Sequence, residues 1–456
     1  MRWLASLPGL LAGLTLSVAL WAWLGRSVPL PDLPSGPLQC LSYAPTSAAG
    51  SPLTMRDGTF DVPPGLINAD LDALAKVTGC LRSYSMLGAQ GDVLAAAAVR
   101  GMQMHVGIWI GADDKRNARE IERTLALAHR YPAAVRSIVV GNEVLLRREM
   151  SGERLAGIIR SVKARTKLPV AYADIFEFWR RNPVVAEAAD VMLVHVLPYW
   201  DDPHPVSIDD VQAHVRGIIA RARETLPPKP LVIGEIGWPS EGRTRSRAHP
   251  SSVNQARFVR EFAASAESLG VSYNLIEAID QPWKHVPEGT VGGAWGMLDA
   301  QRRLKFPLTG PVDPWPLWRW AAGFTMGAVL VAFALAVGTR QTAAWWRWLG
   351  FGIAAGLGGA ALWAAGEQIV AMCQGWREWA WGIALLGMAA SGTALLLRAL
   401  LPGGSSWLTS AWPGGRVTGV RLVPRSLSEV VGLLHGSVLS TAAIVALQLA
   451  VDGRHR

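Results

Sequence analysis

Two glutamates, Glu143 and Glu235, each follow an apolar, strand-like run: Val139-Val140-Gly141-Asn142-Glu143-Val144 and Ile233-Gly234-Glu235-Ile236-Gly237-Trp238-Pro239-Ser240. Two carboxyl groups facing each other across an acetal linkage are the minimum set for cleaving it or passing one half to a new acceptor. One stays protonated and gives its proton to the departing oxygen, while the other is ionised and attacks the anomeric carbon. A gap of about 5 Å suits the two-step, retaining version of that displacement. Either glutamate alone could equally cap the helix that follows it. Two of them, each flanked by glycine and strand, argue for the chemistry.

Residues about 90 positions apart meet only if the fold brings strand ends to a common rim. From residue 38 onward, strand-like and amphipathic helix-like runs alternate, the mark of βα units and a parallel sheet. Eight strands are predicted: Leu38 to Tyr43, Cys80 to Ser85, Gln103 to Trp109, Ser137 to Asn142, Pro169 to Asp174, Val191 to Val196, Leu231 to Glu235 and Ser272 to Ile276. Helices are expected at Ala69 to Val77, Val93 to Arg100, Asn117 to His129, Gly152 to Ala164, Phe178 to Ala188, Ile208 to Glu224 and Val253 to Ser268. About 270 residues for eight units fits a closed (β/α)8 TIM barrel, whose strand C-termini open on one mouth. The rival, a doubly wound open sheet, lacks support, because no glycine-rich phosphate turn follows the first strand.

Other mouth-end residues could bind substrate. Asn142 is placed for a sugar hydroxyl, and Tyr199 for holding Glu235 ionised by a hydrogen bond. Trp200, Trp238 and Trp283 could stack on sugar rings, although Trp238, between Gly237 and Pro239, could equally plug the core. Arg82 and Tyr84 end the second strand and Tyr43 the first; Arg82 could steer a hydroxyl or carboxylate, or form a structural salt bridge. Glu277 could bind a hydroxyl or raise the nucleophile's pKa by repulsion, with pairing to Lys284 as the plainer alternative. His195 reads as an ordinary strand histidine rather than a base.

Composition divides the 456 residues. The segment 38–310 holds nearly all the acidic side chains, residues 317–456 form an apolar, tryptophan-rich region, and Pro307, Pro311, Pro314 and Pro316 read as a stiff linker between them. Residues 1–30 contain an apolar run, Trp3 to Leu24, long enough to span a bilayer. It is a cleaved signal or a retained anchor, and the bulky Trp21, Trp23 and Leu24 at its end favour the anchor. Further spans are expected at Trp320 to Val337, Trp348 to Ala365 and Trp379 to Leu397, with a weaker one at Val430 to Val451, giving three to four C-terminal helices.

Arg340, Arg347, Arg398, Arg416, Arg421 and Arg425 lie in two loops that the positive-inside rule makes cytoplasmic, so the polar domain faces the other side, the periplasm in a bacterium. The net charge of +9 therefore calls for no nucleic-acid partner. Cys40 and Cys80 could bridge in an oxidising compartment, but reduced, buried thiols are expected, since bridges between neighbouring parallel strands are awkward. No Cys/His spacing suggests a metal, and no cofactor is expected.

The Gly-Glu-Ile-Gly-Trp-Pro-Ser string, with segments 137 to 146, Tyr172 to Trp179, His195 to Trp200 and Glu277 to Lys284, resembles glycoside hydrolase family 17, β-1,3-glucan-active (β/α)8 barrels. The resemblance implies that Glu143 is the general acid/base and Glu235 the nucleophile. The strings Val196-Leu197-Pro198-Tyr199-Trp200, Asn254-Gln255-Ala256-Arg257-Phe258 and Glu277-Ala278-Ile279-Asp280-Gln281-Pro282-Trp283-Lys284 are similar to bacterial members tied to β-(1,3)/β-(1,6)-glucan synthesis, which couple such a barrel to membrane helices. Eukaryotic relatives usually have Thr where Ile236 stands and often Glu where Gln281 stands. The resemblance implies an inner-membrane, multi-pass enzyme acting on a β-glucan or oligosaccharide in the periplasm. It transfers the glycosyl unit, with hydrolysis as the close rival and a non-catalytic glucan-binding module as a third reading. The helices are a plain anchor or contact a glucan synthase or exporter. De novo polymerisation is not expected, since no Asp-x-Asp pair follows a predicted strand and no Gln-x-x-Arg-Trp string is present.

Overall fold

A computed structural model describes residues 2–401 apart from 35, 48–49, 202–204, 339–342 and 374; the predicted Val430 to Val451 span and Arg340, Arg416, Arg421 and Arg425 lie outside the described residues. Eight parallel strands close in sequence order: β1 (Leu41–Ser42), β2 (Cys80–Arg82), β3 (Gln103–Ile108), β4 (Val135–Asn142), β5 (Val170–Ile175), β6 (Val191–Val196), β7 (Leu231–Ile236) and β8 (Ser272–Leu275). β8 pairs with β1 at Leu41 and Leu275, which completes the ring. The helices are α1 (Arg2–Leu24), α2 (Leu66–Leu74), α3 (Asp92–Val99), α4 (Asp114–Arg130), α5 (Gly152–Lys163), α6 (Phe176–Arg181), α7 (Pro183–Ala188), α8 (Val211–Thr225), α9 (Ser252–Leu269), α10 (His285–Glu288), α11 (Trp318–Gly338), α12 (Trp345–Met372) and α13 (Trp376–Leu400).

Local chemistry sets these boundaries. Asp113 caps α4 by accepting from the Lys115 and Arg116 amides, Ser151 caps α5, and Ser251 caps α9, which ends at Gly270 in the left-handed region (φ 60°). The single helix expected over Phe178 to Ala188 is two, because Pro183 forces Asn182 out of the helical region (φ −128°, ψ 66°). The barrel strands are buried on both faces, as a parallel sheet wrapped in helices requires.

Two compact units emerge, Val28–Val312 and the remainder. In the barrel unit, residues 307–312 are pinned rather than free: Val312 bridges Val28, Leu33 donates to the Leu308 carbonyl, and buried Arg260 of α9 donates to the carbonyls of Pro31, Pro307 and Gly310. The stretch read as a linker thus begins as part of the barrel.

Cys40 and Cys80 are disulfide-bonded, which corrects the expectation of free thiols. Leu41 registers with Leu81, so the two cysteines just ahead of them sit side by side with Cα atoms 4.5 Å apart, within bridging reach.

In the other unit, among the described residues, four helices are long and apolar enough to cross a membrane: Ala5–Leu24, Trp318–Gly338, Trp345–Ala371 and Trp376–Arg398. α1 packs against α12 so closely that a Cβ on Gly9 would fall 1.9 Å from the Trp348 carbonyl oxygen, and one on Gly352 would fall 1.8 Å from that of Gly9. Small residues let apolar helices approach backbone to backbone. Trp21 adds an indole hydrogen bond to the Thr325 hydroxyl of α11 (2.9 Å).

Candidate active site

β7 carries Glu235 one residue before its end, and Glu143 follows the last residue of β4. Glu143 adopts a left-handed backbone (φ 53°), a conformation that a non-glycine side chain takes only against a steric cost and that recurs at functional sites. The two side chains converge: a carboxylate oxygen of Glu143, one of Glu235 and a ring nitrogen of His195 all lie within 4.8 Å of one another.

Arg82 organises the cluster from the far side of the barrel. Its buried side chain leaves β2 and donates through Nη1 to Glu235 Oε1 (2.8 Å) and the Gly234 carbonyl (2.9 Å), and through Nη2 to Asn142 Oδ1 (2.5 Å). One guanidinium therefore ties β2 to β7 and β4, which its rigid fork of donors makes possible. Tyr84 adds a second donor to Glu235 Oε1 (2.8 Å). Burial pulls the Glu235 carboxyl upward, but the neighbouring His195 and Arg82, the Tyr84 hydroxyl and the Lys284 ammonium outweigh it and hold the group below its ordinary value.

Glu143 is half-buried, and its Oε1 lies 2.9 Å from His195 Nδ1. The other nitrogen of that ring, Nε2, is 3.3 Å from Arg82 Nη1 and 3.7 Å from Glu235 Oε1. The histidine read as an ordinary strand residue is therefore wedged between the two carboxyls. Its signal lay in register, since His195 pairs with Glu235 across β6 and β7. Asp174 of β5, also missed, accepts from the Tyr172 hydroxyl and the Ile175 amide, and burial raises its pKa to about 6.

The remaining expected residues separate. Tyr199 does not reach Glu235: it lies three residues past the end of β6, fully buried, and donates to the Arg243 carbonyl (2.5 Å), so Tyr84 holds the role expected of it. Trp238 is fully buried, donates to the His249 carbonyl and stacks on Phe258, which makes it the core plug and removes it as a sugar platform. Tyr43 is buried with its hydroxyl spent on Asp70 (2.6 Å), so it too is closed to a ligand.

Trp200 stays half-exposed, stacked on Trp295 and approached by the Arg245 guanidinium (5.0 Å from the ring centre). Trp283 is likewise half-exposed, its indole donating to Gln281. Glu277 takes the plainer alternative: buried, it pairs with Lys284 (2.7 Å) and accepts from Gln281 (2.7 Å), and burial lifts its pKa to about 7 against the pull of Lys284. Trp109, just past β3, is half-exposed beneath the Arg147 guanidinium (4.3 Å) and joins Trp200 and Trp283 as an aromatic surface that sequence reasoning passed over.

Glu143, His195 and Glu235 have the spacing of metal ligands, but Arg82 already places a full positive charge against Glu235, which opposes a second cation there. The sulfurs of a second such group, Cys40, Cys80 and His105, are consumed by the disulfide.

The family model for the BtgE/BtgC glycoside hydrolase domain matches residues 41–296. A glucan 1,3-β-glucosidase of Arthroderma benhamiae is 27% identical over 254 residues, spanning 52% of this chain and 82% of the relative. A glucan 1,3-β-glucosidase of Saccharomyces cerevisiae is 25% identical over 268 residues, spanning 52% and 83%. Among solved structures, the glycoside hydrolase family 17 β-1,3-glucanosyltransferase from Rhizomucor miehei has the same fold (TM-score 0.51, 21% identity, 59% of this chain and 97% of that one).

Proposed function

Because this chain belongs to the BtgE/BtgC glycoside hydrolase domain family, we propose that it is a retaining, β-1,3-glucan-active enzyme in which Glu235 is the nucleophile and Glu143 the general acid/base. The observation that carries the reading is the approach of the two carboxyls to within 4.8 Å with unequal surroundings. Glu235, given two strong donors and held ionised, is equipped to attack the anomeric carbon. Glu143, half-exposed at the rim, is equipped to pass a proton to the leaving oxygen and later to take one from the incoming hydroxyl. Displacement by Glu235 breaks the glycosidic bond as Glu143 delivers its proton, and the covalent glycosyl-enzyme then reacts with an acceptor that Glu143 deprotonates.

When the acceptor is another sugar, the product is an elongated, branched or cyclised β-linked glucan; when it is water, the product is hydrolysed. The indoles of Trp109, Trp200 and Trp283, each half-exposed, favour sugar acceptors, since aromatic surface left open to solvent can pack on a glucose ring. The names of the fungal relatives favour the hydrolytic reading. The four apolar helices of the described residues and the arginines that flank the apolar runs in the sequence support a multi-pass inner-membrane protein with the barrel in the periplasm, where a glucan synthase or exporter would supply the donor chain.

Detergent-solubilised full-length protein incubated with laminari-oligosaccharides, with products separated by mass and linkage, tests this. Products longer than the starting sugar are expected, and shorter products alone would establish hydrolysis instead. Glu235→Gln should accumulate no glycosyl-enzyme with a 2-fluoro donor while still binding oligosaccharide; normal turnover by that variant would remove the nucleophile assignment.

A further inference from the structure

We infer that His195 is the positioning residue of the acid/base carboxyl, an imidazole that holds Glu143 in place in both of the protonation states its task demands. The inference deepens the reading above and rests on Glu143 being the acid/base.

A retaining enzyme needs its acid/base group as a carboxylic acid in the first half-reaction and as a carboxylate in the second. A cationic donor such as arginine would favour the carboxylate and oppose its protonation, whereas a neutral N–H bonds the carboxylate and the carbonyl oxygen of the acid alike. Neutral imidazole supplies such a donor. With the hydrogen on Nδ1, the ring donates to ionised Glu143 across the 2.9 Å contact, and bare Nε2 faces the Arg82 Nη1 donor at 3.3 Å. When Glu143 is protonated, the same Nδ1 hydrogen bonds its carbonyl oxygen Oε1, so the acid proton sits on Oε2 and stays available to the leaving oxygen. One tautomer thus holds both states of Glu143, with its bare Nε2 facing the Arg82 donor. Arg82, Glu143 and Glu235 touch the ring, and Asp174 of β5 is the further charged group whose field reaches it.

The ring can lie there only because the neighbouring strand leaves room. A Cβ on Gly234 would come 2.9 Å from His195 Cδ2 and 3.2 Å from Nε2, so the glycine before the nucleophile opens the slot for the imidazole. His195 is itself buried, which leaves its orientation fixed by packing.

The test compares two substrates on the full-length enzyme in detergent. Laminari-oligosaccharides carry a poor leaving group that needs a proton, whereas a 2,4-dinitrophenyl β-glucoside departs without one, so only the first depends on Glu143 being well placed in the glycosylation step. A misplacement of about 1 Å costs on the order of 100-fold. His195→Phe should therefore lose roughly 100-fold in kcat/KM on oligosaccharide but only a few-fold on the aryl glycoside. His195→Asn, which keeps a donor and an acceptor near the Nδ1 position, should recover to within roughly tenfold of wild type. Melting curves on both variants identify loss of fold. Equal losses on both substrates, or no loss on either, would overturn the inference. Failure of the underlying assignment has a different signature: Glu143→Ala would then lose no more on oligosaccharide than on the aryl glycoside.

Discussion

Replacing Arg82 by methionine isolates what keeps the proposed nucleophile ionised. The side chain is buried, and its substitution removes the donor at 2.8 Å from Glu235 Oε1 while leaving Tyr84 in place. Removing one partner of a buried charge pair costs about 3–5 kcal/mol, because the remaining charge stays desolvated. Glu235 escapes part of that cost by taking up a proton, which withdraws it as a nucleophile. At about 1.4 kcal/mol per factor of ten, kcat/KM near neutral pH should fall roughly 100-fold to several thousand-fold. The pH dependence follows from the sign of the shift. In the wild type the Glu235 carboxyl sits below its ordinary value, so its stabilisation is present above that value and is lost as pH falls through the depressed one. In Arg82→Met, burial acts with less opposition, the carboxyl moves upward, and a penalty appears at high pH that vanishes once the group is protonated. The stability gap between wild type and variant should therefore narrow on going from pH 8 to pH 4.5, measured by denaturant unfolding alongside kcat/KM. A variant that retains kcat/KM within threefold, or a gap that does not change with pH, would refute the reasoning.

Asp174→Asn probes the opposite sign. Burial raises the Asp174 carboxyl from 3.8 to about 6, so its protonated form stabilises the fold below 3.8 and that contribution is lost as pH climbs to about 6. The variant should gain about 3 kcal/mol relative to wild type across that window in unfolding titrations, and a constant difference would contradict the assignment. The Cys40–Cys80 bridge closes a 40-residue separation, for which chain entropy gives about 4 kcal/mol. The Cys40→Ala/Cys80→Ala double variant should lower the melting midpoint by on the order of 10 °C, whereas an unchanged midpoint in a non-reducing melt would contradict a bridge in the folded protein.

The barrel was legible because parallel strands buried on both faces read as short apolar runs at regular spacing, and eight of them leave little topological freedom. Glu143 and Glu235 were legible for a related reason: a charged residue that ends an apolar run has nowhere to go but the mouth. The residues that tune them were harder to read. Arg82 of β2 reaches across the interior to Glu235 on β7, three places round the closed ring, and to Asn142 on β4, two places round it, and sequence spacing carries no information on such contacts. Tyr84 and Tyr199 are both tyrosines beyond strand ends, and only the path of the following loop decides that the first bonds Glu235 while the second turns into an aromatic cluster with Trp200, Trp238 and Trp295. The disulfide was misjudged by treating neighbouring parallel strands as rigid and fully extended, although Cys40 stands just outside β1, where the backbone is free to turn its side chain toward Cys80.

Packing bears on whether the first helix is a cleaved signal or a retained anchor. Hydropathy alone fits a cleaved signal and a retained anchor equally well, since both need an apolar run. A segment destined for removal has no reason to match the surface of a helix more than 300 residues later, yet Gly9 and Gly13 lie against Trp348 and Gly352 at distances that admit no side chain. The same helix buries Trp21 at 1% exposure and spends its indole on Thr325. Removing residues 1–24 would strip α12 of a backbone-to-backbone seam and leave Thr325 without its indole donor, a loss to the bundle that lipid cannot make good, because acyl chains neither donate hydrogen bonds nor fill a glycine groove as closely. We propose from these contacts that α1 is retained, and purified protein whose N-terminal sequence begins beyond residue 24 would refute it.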